Sequence, residues 1–164
     1  MRTREFTDLG ALALHLATLG VAMAAAQTRG LERVARRIEG DAKAQIGHYQ
    51  GPAGPFPAWA PLAESTEAEK ARLGYRQDAP LLREGDLRDS ITHEVRGNEA
   101  VVGSKSPIAA YQEFGTDKIP PRPFIGPAAV MNEHFIQQEL GRATVEGLTG
   151  GQAIAGGAYD FTTR

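Results

Sequence analysis

The sequence predicts an α+β fold, with an antiparallel β-sheet packed by N-terminal helices and a C-terminal helix. Three observations carry that reading. Leu9, Leu12, Leu16, Leu19 and Met23 recur at three- and four-residue steps, and Leu31, Val34, Ile38, Ala42 and Ile46 repeat the pattern, the mark of a helix with one buried face. Between Ile91 and Val95 the period falls to two, as in a half-buried strand. Beyond Pro127, Ala128, Met131 and Phe135 form one helical face, with Ile136, Leu140 and Ala143 on an adjoining one.

Taken in order, residues 6–47 read as two consecutive helices, or as one long helix bent near Gly30, with Asp8 or Thr7 as cap. Residues 48–62, HYQGPAGPFPAWAPL, hold four prolines, too many for a regular element. This loop carries Phe56 and Trp59, the chain's single tryptophan, expected to plug the loop onto the core. A short, charged and exposed helix follows from Glu64 to Gly74, with Thr66 as its cap. The hairpin spans about residues 88–104, turning at RGNE, with His93 on its apolar side. Ser106 and Pro107 then open a short helix over 106–114, which Gly115 ends. The last helix covers 127–147. Residues 1–148 make one domain, and 149–164, rich in Gly and Ala, form a flexible tail with Tyr159 and Phe161 as its candidate contacts.

Composition narrows the function. A chain of 164 residues suits one ordinary domain. Its 18 Lys and Arg against 20 Asp and Glu give a formal charge of -2, against a protein whose main task is neutralising phosphates. With no cysteine there is no disulfide, thiolate metal site or cysteine nucleophile, and the composition suits a reducing cytoplasm. His15 and Thr18 interrupt the apolar N-terminal stretch, which argues against a signal peptide or membrane span.

Chemistry-bearing motifs are missing too. The histidines at 15, 48, 93 and 134 stand far apart, and there is no phosphate loop, dinucleotide fingerprint or nucleophile elbow. Glu113 and Asp117 have the residue types of an acid-base pair, yet no nucleophile, metal or oxyanion donor accompanies them. No catalytic, cofactor-binding or metal residue is therefore expected. Arg29, Arg33, Arg36 and Arg37 crowd one helix and offer an alternative function, a small nucleic-acid- or protein-binding regulatory module using the basic helix 29–37. The plainer reading is a solvated face partly neutralised by Glu32 and Glu39.

The most informative stretch is YQEFGTDKIPPRPF, Tyr111 to Phe124. Tyr111 and Phe114 are three residues apart on the short helix, Gly115 terminates it, and Pro120, Pro121 and Pro123 hold the chain extended around Arg122. The stretch is thus a corner of short helix, rigid spacer, aromatic anchor and last helix. Tyr111, Phe114, Arg122 and Phe124 are expected to hold it, with Arg122 bonding backbone carbonyls at its base or reaching a neighbouring subunit.

Together with AWAPL (Ala58 to Leu62, including Trp59), LLREGDLRDSI (Leu81 to Ile91, with Leu87 leading into the first strand), VVGS (Val101 to Ser104) and the extension of the corner to Ala128, this stretch resembles the tail-completion, neck (head-tail joining) and virion-morphogenesis proteins of tailed bacteriophages. The likeness covers about residues 56–130. It implies a structural protein without catalysis or cofactor, found in the virion and in the host cytoplasm during assembly. It further implies partners among the phage head-tail connector and tail proteins and a homo-oligomeric ring built from monomers, with no membrane and no specific nucleic acid.

Overall fold

A computed structural model describes residues 8–150. Helix α1 runs unbroken from Leu9 to Gln45, its N-terminus capped by Asp8, whose Oδ1 accepts the Ala11 N–H at 2.8 Å. No break occurs at Gly30. That glycine is buried because α6 (Glu133–Leu148) crosses there, and a Cβ on it would lie 2.9 Å from the Ala143 Cβ. Gly147 allows the same close approach one turn further along α6, where an added Cβ would sit 2.6 Å from the Met23 Cα.

The expected apolar series on α1 divides at this crossing. Val34, Ile38, Ala42 and Ile46 enter the core. Upstream, only Leu12, Leu19 and Met23 are half-buried, whereas Leu9 and Leu16 face outward. The reason is length: α6 reaches its C-terminal end beside Met23, so the earlier turns of α1 run past it.

Helix α2 (Glu64–Arg72) begins after Ala63, which makes no side-chain cap; Thr66 lies inside the helix rather than capping it. Nor is α2 wholly exposed. Lys70 is buried, with its ammonium donating to the carbonyls of Ala79 and Leu82, so this one charge ties the helix to the loop that follows. Burial holds that ammonium below its ordinary pKa.

A single turn, α3 (Asp86–Asp89), starts after Gly85 at φ 104 and takes the first two residues expected of the hairpin. The hairpin itself pairs β1 (Ile91–Arg96) with β2 (Glu99–Ser104), in the register Ile91↔Ser104 to Arg96↔Glu99. Ile91, His93 and Val95 point inward and Thr92, Glu94 and Arg96 outward, and Gly97 supplies the positive φ, 58°, at the turn. These two strands are the sheet found among the described residues.

Helix α4 (Pro107–Phe114) has Ser106 at its N-cap and Pro107 as its first residue, but the Ser106 side chain makes no capping bond. The expected last helix is two. Helix α5 (Ile125–Met131) stops at Asn132, and α6 starts anew at Glu133. Asn132 is buried and its amide donates to Ala128 O (2.8 Å) and Asp41 Oδ2 (2.6 Å), so the break is anchored to α1. The change of direction carries Met131 and Leu140 outward, away from the faces expected of them. The core lies where α1, β1, α4 and α5 meet around Ile91 and Phe124, both 0% exposed. Of the tail, 151–164, with Tyr159 and Phe161, lies outside the described residues, as do Thr7 and the first residues of the chain.

Candidate functional site

The corner after α4 is built by carbonyls and N–H groups finding partners in distant parts of the chain. Gly115 turns it at φ 75, and an added Cβ there would meet Ile119 O and Pro121 N, each at 2.9 Å. Thr116 and Ile119 exchange backbone bonds (2.9 and 3.2 Å), closing a tight loop whose tip is Asp117 and Lys118. Pro120 and Pro121 are exposed, and the Arg122 N–H then returns to Gln112 O at 2.6 Å.

Three side chains lock the exit. The Arg122 guanidinium is buried and donates to Ala60 O (3.2 Å from Nε, 3.1 Å from Nη2) and Pro61 O (2.9 Å from Nη2). Of the two roles expected for Arg122, this is the bonding of backbone carbonyls. Burial lowers its pKa from the ordinary arginine value. Trp59 Nε1 donates to Pro123 O at 2.8 Å, and the buried Gln45 amide donates to Phe124 O at 3.1 Å. The Pro-rich loop carrying Trp59 is thereby fastened to the corner from one side and α1 from the other, with the Phe124 ring enclosed between them.

Glu113 supplies the piece that residue-level reading missed. Its carboxylate accepts three successive N–H groups at the start of α5: Phe124 (2.8 Å) and Ile125 (3.1 Å) on Oε2, and Gly126 (2.8 Å) on Oε1. These are the N–H groups that a helix start leaves without an intrahelical partner, and a carboxylate is the strongest acceptor for them. An acid-base role with Asp117 finds no support here, because Asp117 lies exposed at the loop tip. The sequence offered Glu113 only as half of an acid-base pair with Asp117, because the N–H groups it caps lie beyond the turn.

The expectation that Tyr111 and Phe114 help hold the corner is corrected. Tyr111 is 53% exposed and Phe114 81%. Helix α4 buries Ala109 and turns Glu113 toward α5, which at 100° per residue leaves Ile108, Tyr111 and Phe114 on the outward side. Ile108 is 54% exposed. Leu87 is half-buried against the core.

Beside the corner lies an open groove of about 710 Å³. Leu62, Leu82, Leu87 and Ile119 line it together with charged residues that include Lys70, Arg83, Glu84 and Arg122. Leu81, which also lines it, holds a positive φ of 61°, a conformation that a bulky residue adopts only when its surroundings impose it. Gln112 Oε1, at the same wall, is buried without a hydrogen-bond partner.

The basic helix is not a free cationic patch. Arg29 pairs with Glu146 (2.6 Å), Arg33 with Glu139 (2.5 Å), Arg36 with Glu32 (2.8 Å) and Arg37 with Asp41 (2.9 Å). Two of these carboxylates come from α6 and could not be foreseen from neighbours in sequence. Glu39, expected to neutralise this face, binds Lys43 and His93 instead. His93 also meets Glu32 at 3.1 Å. Hydrogen bonds to Glu39 and then Glu32 hold the imidazole above its ordinary pKa, while the partners of Glu39 (Lys43 first) and of Glu32 (His93 first) hold those carboxylates below theirs. Among the described residues no group of three or more His, Asp or Glu side chains is placed to hold a metal.

These features are a braced corner, an outward apolar edge and a basic helix whose arginines are paired. Residues 7–143 match the model of the phage virion morphogenesis family, and the chain belongs to that family. It is 41% identical over 61 residues to Mu-like prophage FluMu G protein 2 of Haemophilus influenzae, an alignment covering 33% of this chain and 44% of that protein. The chain thus matches less than half the length of this curated relative. No solved structure matches it. The protein is a phage morphogenesis protein of α+β fold.

Proposed function

We propose that the protein completes the tail or joins tail to head as one of several copies in a ring, without catalysis. Family membership over most of the chain supports a virion station. The observation that carries the finer reading is the corner: Glu113, Arg122 and Trp59 fix α5 to the rest of the fold through six hydrogen-bonded backbone groups (the N–H of Phe124, Ile125 and Gly126; the carbonyls of Ala60, Pro61 and Pro123). A joint that repeats around a ring needs every copy to present the same surface at the same angle, and a corner braced on both sides supplies that.

Next to it, the outward row Ile108, Tyr111 and Phe114 offers the neighbouring protein an apolar edge with two aromatics, the residue type that dominates interface cores. The groove whose lining includes Ile108, Lys70 and Arg122 lies alongside. The partners in this reading are connector or tail proteins of the same virion, met in the host cytoplasm during assembly. Pairing of all four helix arginines with carboxylates weakens the nucleic-acid alternative.

Adding purified protein to a lysate of the same phage lacking the gene tests the proposal through infectious titre. Wild-type protein should restore titre, and Phe114→Ala, which removes an exposed ring, should restore much less while folding normally. Full rescue by Phe114→Ala together with Tyr111→Ala would refute the assignment of this edge.

A further inference from the structure

Two buried cations stand beside the corner without a carboxylate. Lys70 and Arg122 are each 5% exposed, and a charge taken that far out of water is costly unless an opposite charge replaces the lost solvent. Neither takes part in an ion pair among the described residues, whereas the nearby Arg83 has Glu69. Neutral carbonyls hold them instead, Ala79 O and Leu82 O for the Lys70 ammonium, Ala60 O and Pro61 O for the Arg122 guanidinium. Donors are left over on both. An ammonium has three N–H groups and a guanidinium five; one on Lys70 and the pair on Arg122 Nη1 make no bond among the described residues.

Both side chains line the groove of about 710 Å³ beside the corner. Gln112 lines it as well, and its Oε1 is buried without a donor. Leu62, Leu82, Leu87 and Ile119 supply apolar surface between these polar groups. Of the remaining charges in the lining, Arg83 is taken by Glu69 and Glu84 by the Tyr75 hydroxyl, and Lys118 and Asp86 balance each other. The groove thus gathers two cations lacking an anion and one acceptor lacking an N–H.

We propose that this groove binds an extended segment of a partner protein in which an acidic residue is flanked by apolar ones. Its carboxylate meets Lys70 and Arg122, and one of its backbone N–H groups donates to Gln112 Oε1. The carboxylate supplies the missing counter-charge in a desolvated setting, where charge-assisted bonds are strong. The N–H satisfies a buried acceptor whose lack of a partner destabilises the free protein. A fatty acid would bring charge and apolar surface but no N–H for Gln112. A nucleic acid finds no aromatic side chain in the lining on which to stack a base, and its phosphates would meet Glu84 and Asp86.

The chain's own Asp160, between Tyr159 and Phe161, has the matching chemistry but not the reach within one molecule. A Cβ on Gly150 would lie 4.0 Å from Leu19 Cδ2, while Leu82 of the groove lies against Gly47. From Leu19 to Gln45 the unbroken α1 is about 39 Å long at 1.5 Å per residue. The chain from Gly150 to Asp160 extends to about 36 Å at most, short of the helix end even before it turns into the groove. A different protein is therefore the occupant.

Fluorescence polarisation on the full chain tests this with labelled octapeptides carrying a central Asp, Glu, Asn or Lys between Leu, Ile, Val or Phe residues. The best Asp or Glu peptide should bind at least about tenfold tighter than its Asn counterpart, and the difference should persist in moderate salt because the cations are buried. Gln112→Leu should weaken that peptide at least about fivefold while leaving Tm equal or higher, a combination that a merely structural glutamine would not give. Lys118→Glu, at an exposed position in the lining, should weaken it too and serves if Gln112→Leu lowers Tm. Absence of binding by every peptide at about 1 mM overturns the proposal, as do equal affinities for Asp and Asn peptides or binding that survives both variants. Dodecanoate displacing the best peptide at equal concentration overturns it in favour of a small carboxylate. Tighter binding by the peptide of residues 151–164 overturns it in favour of a second copy of the chain. Peptide binding and rescue of titre are separate measurements, so the groove and the virion role can fail independently.

Discussion

Replacing Glu113 by Ala removes the acceptor of three consecutive N–H groups, those of Phe124, Ile125 and Gly126. Hydrogen bonds to a charged group contribute about 1.5–3 kcal/mol each. The three share one carboxylate in a part-buried setting, and water can reach some of the vacated space, so their sum is an upper bound. A loss of about 3 kcal/mol is the working value. For a domain of this size that corresponds to a fall in Tm of about 6–12 °C. Glu113→Gln keeps one acceptor oxygen but turns an NH₂ toward an N–H group, so it should lose about half as much. Urea denaturation with matched calorimetry measures both. A loss below about 1 kcal/mol for Glu113→Ala, or equal values for Ala and Gln, would refute the claim that this carboxylate clamps the start of α5.

Other perturbations reach different parts of the fold. Phe124→Ala should lose about 3–5 kcal/mol, since the ring is 0% exposed at the centre of the core; an unchanged melting temperature would mean that the ring is not an anchor. Gly147→Ala should lose about 1–3 kcal/mol by forcing α6 off the Met23 backbone, and an equally stable variant would show that the crossing is looser than drawn. The His93 cluster gives a pH dependence with a definite sign. The imidazole is held above its unfolded pKa, so its contribution is full below about pH 6.5 and is lost as pH rises through the folded value. Glu39 and Glu32 act oppositely, contributing above about pH 4.5 and losing that contribution as pH falls through their lowered values. Urea midpoints from pH 5 to 9 should therefore fall across the upper part of that range in wild type and much less in His93→Gln; parallel curves would remove His93 from the clasp between β1 and α1.

What the sequence disclosed and what it hid divide by the distance over which a signal acts. The hairpin was legible because alternation at Ile91, His93 and Val95 and the glycine at the turn are local facts with one structural meaning. Pro120, Pro121 and Pro123 restrict their own backbone, so the extended exit of the corner was legible too. The break at Asn132 was not, since apolar spacing on both sides continues helically and the asparagine earns its place only through Asp41, 91 residues away. Lys70 looked like one more exposed charge on a polar helix until Ala79 and Leu82 turned their carbonyls toward it. The capping role of Glu113 was hidden because the N–H groups it caps lie 11 to 13 residues ahead, across a turn. The spacing of Tyr111 and Phe114 puts them on one face of the short helix, and the burial of Ala109 on the other side of α4 sends that face outward.

Electron microscopy of particles made by a phage lacking this gene, with and without added purified protein, tests the virion role most directly. The expected result is full heads with separate tails, or tails of abnormal end or length, which added protein converts to complete virions. Normal virions formed without the gene would contradict the proposed role.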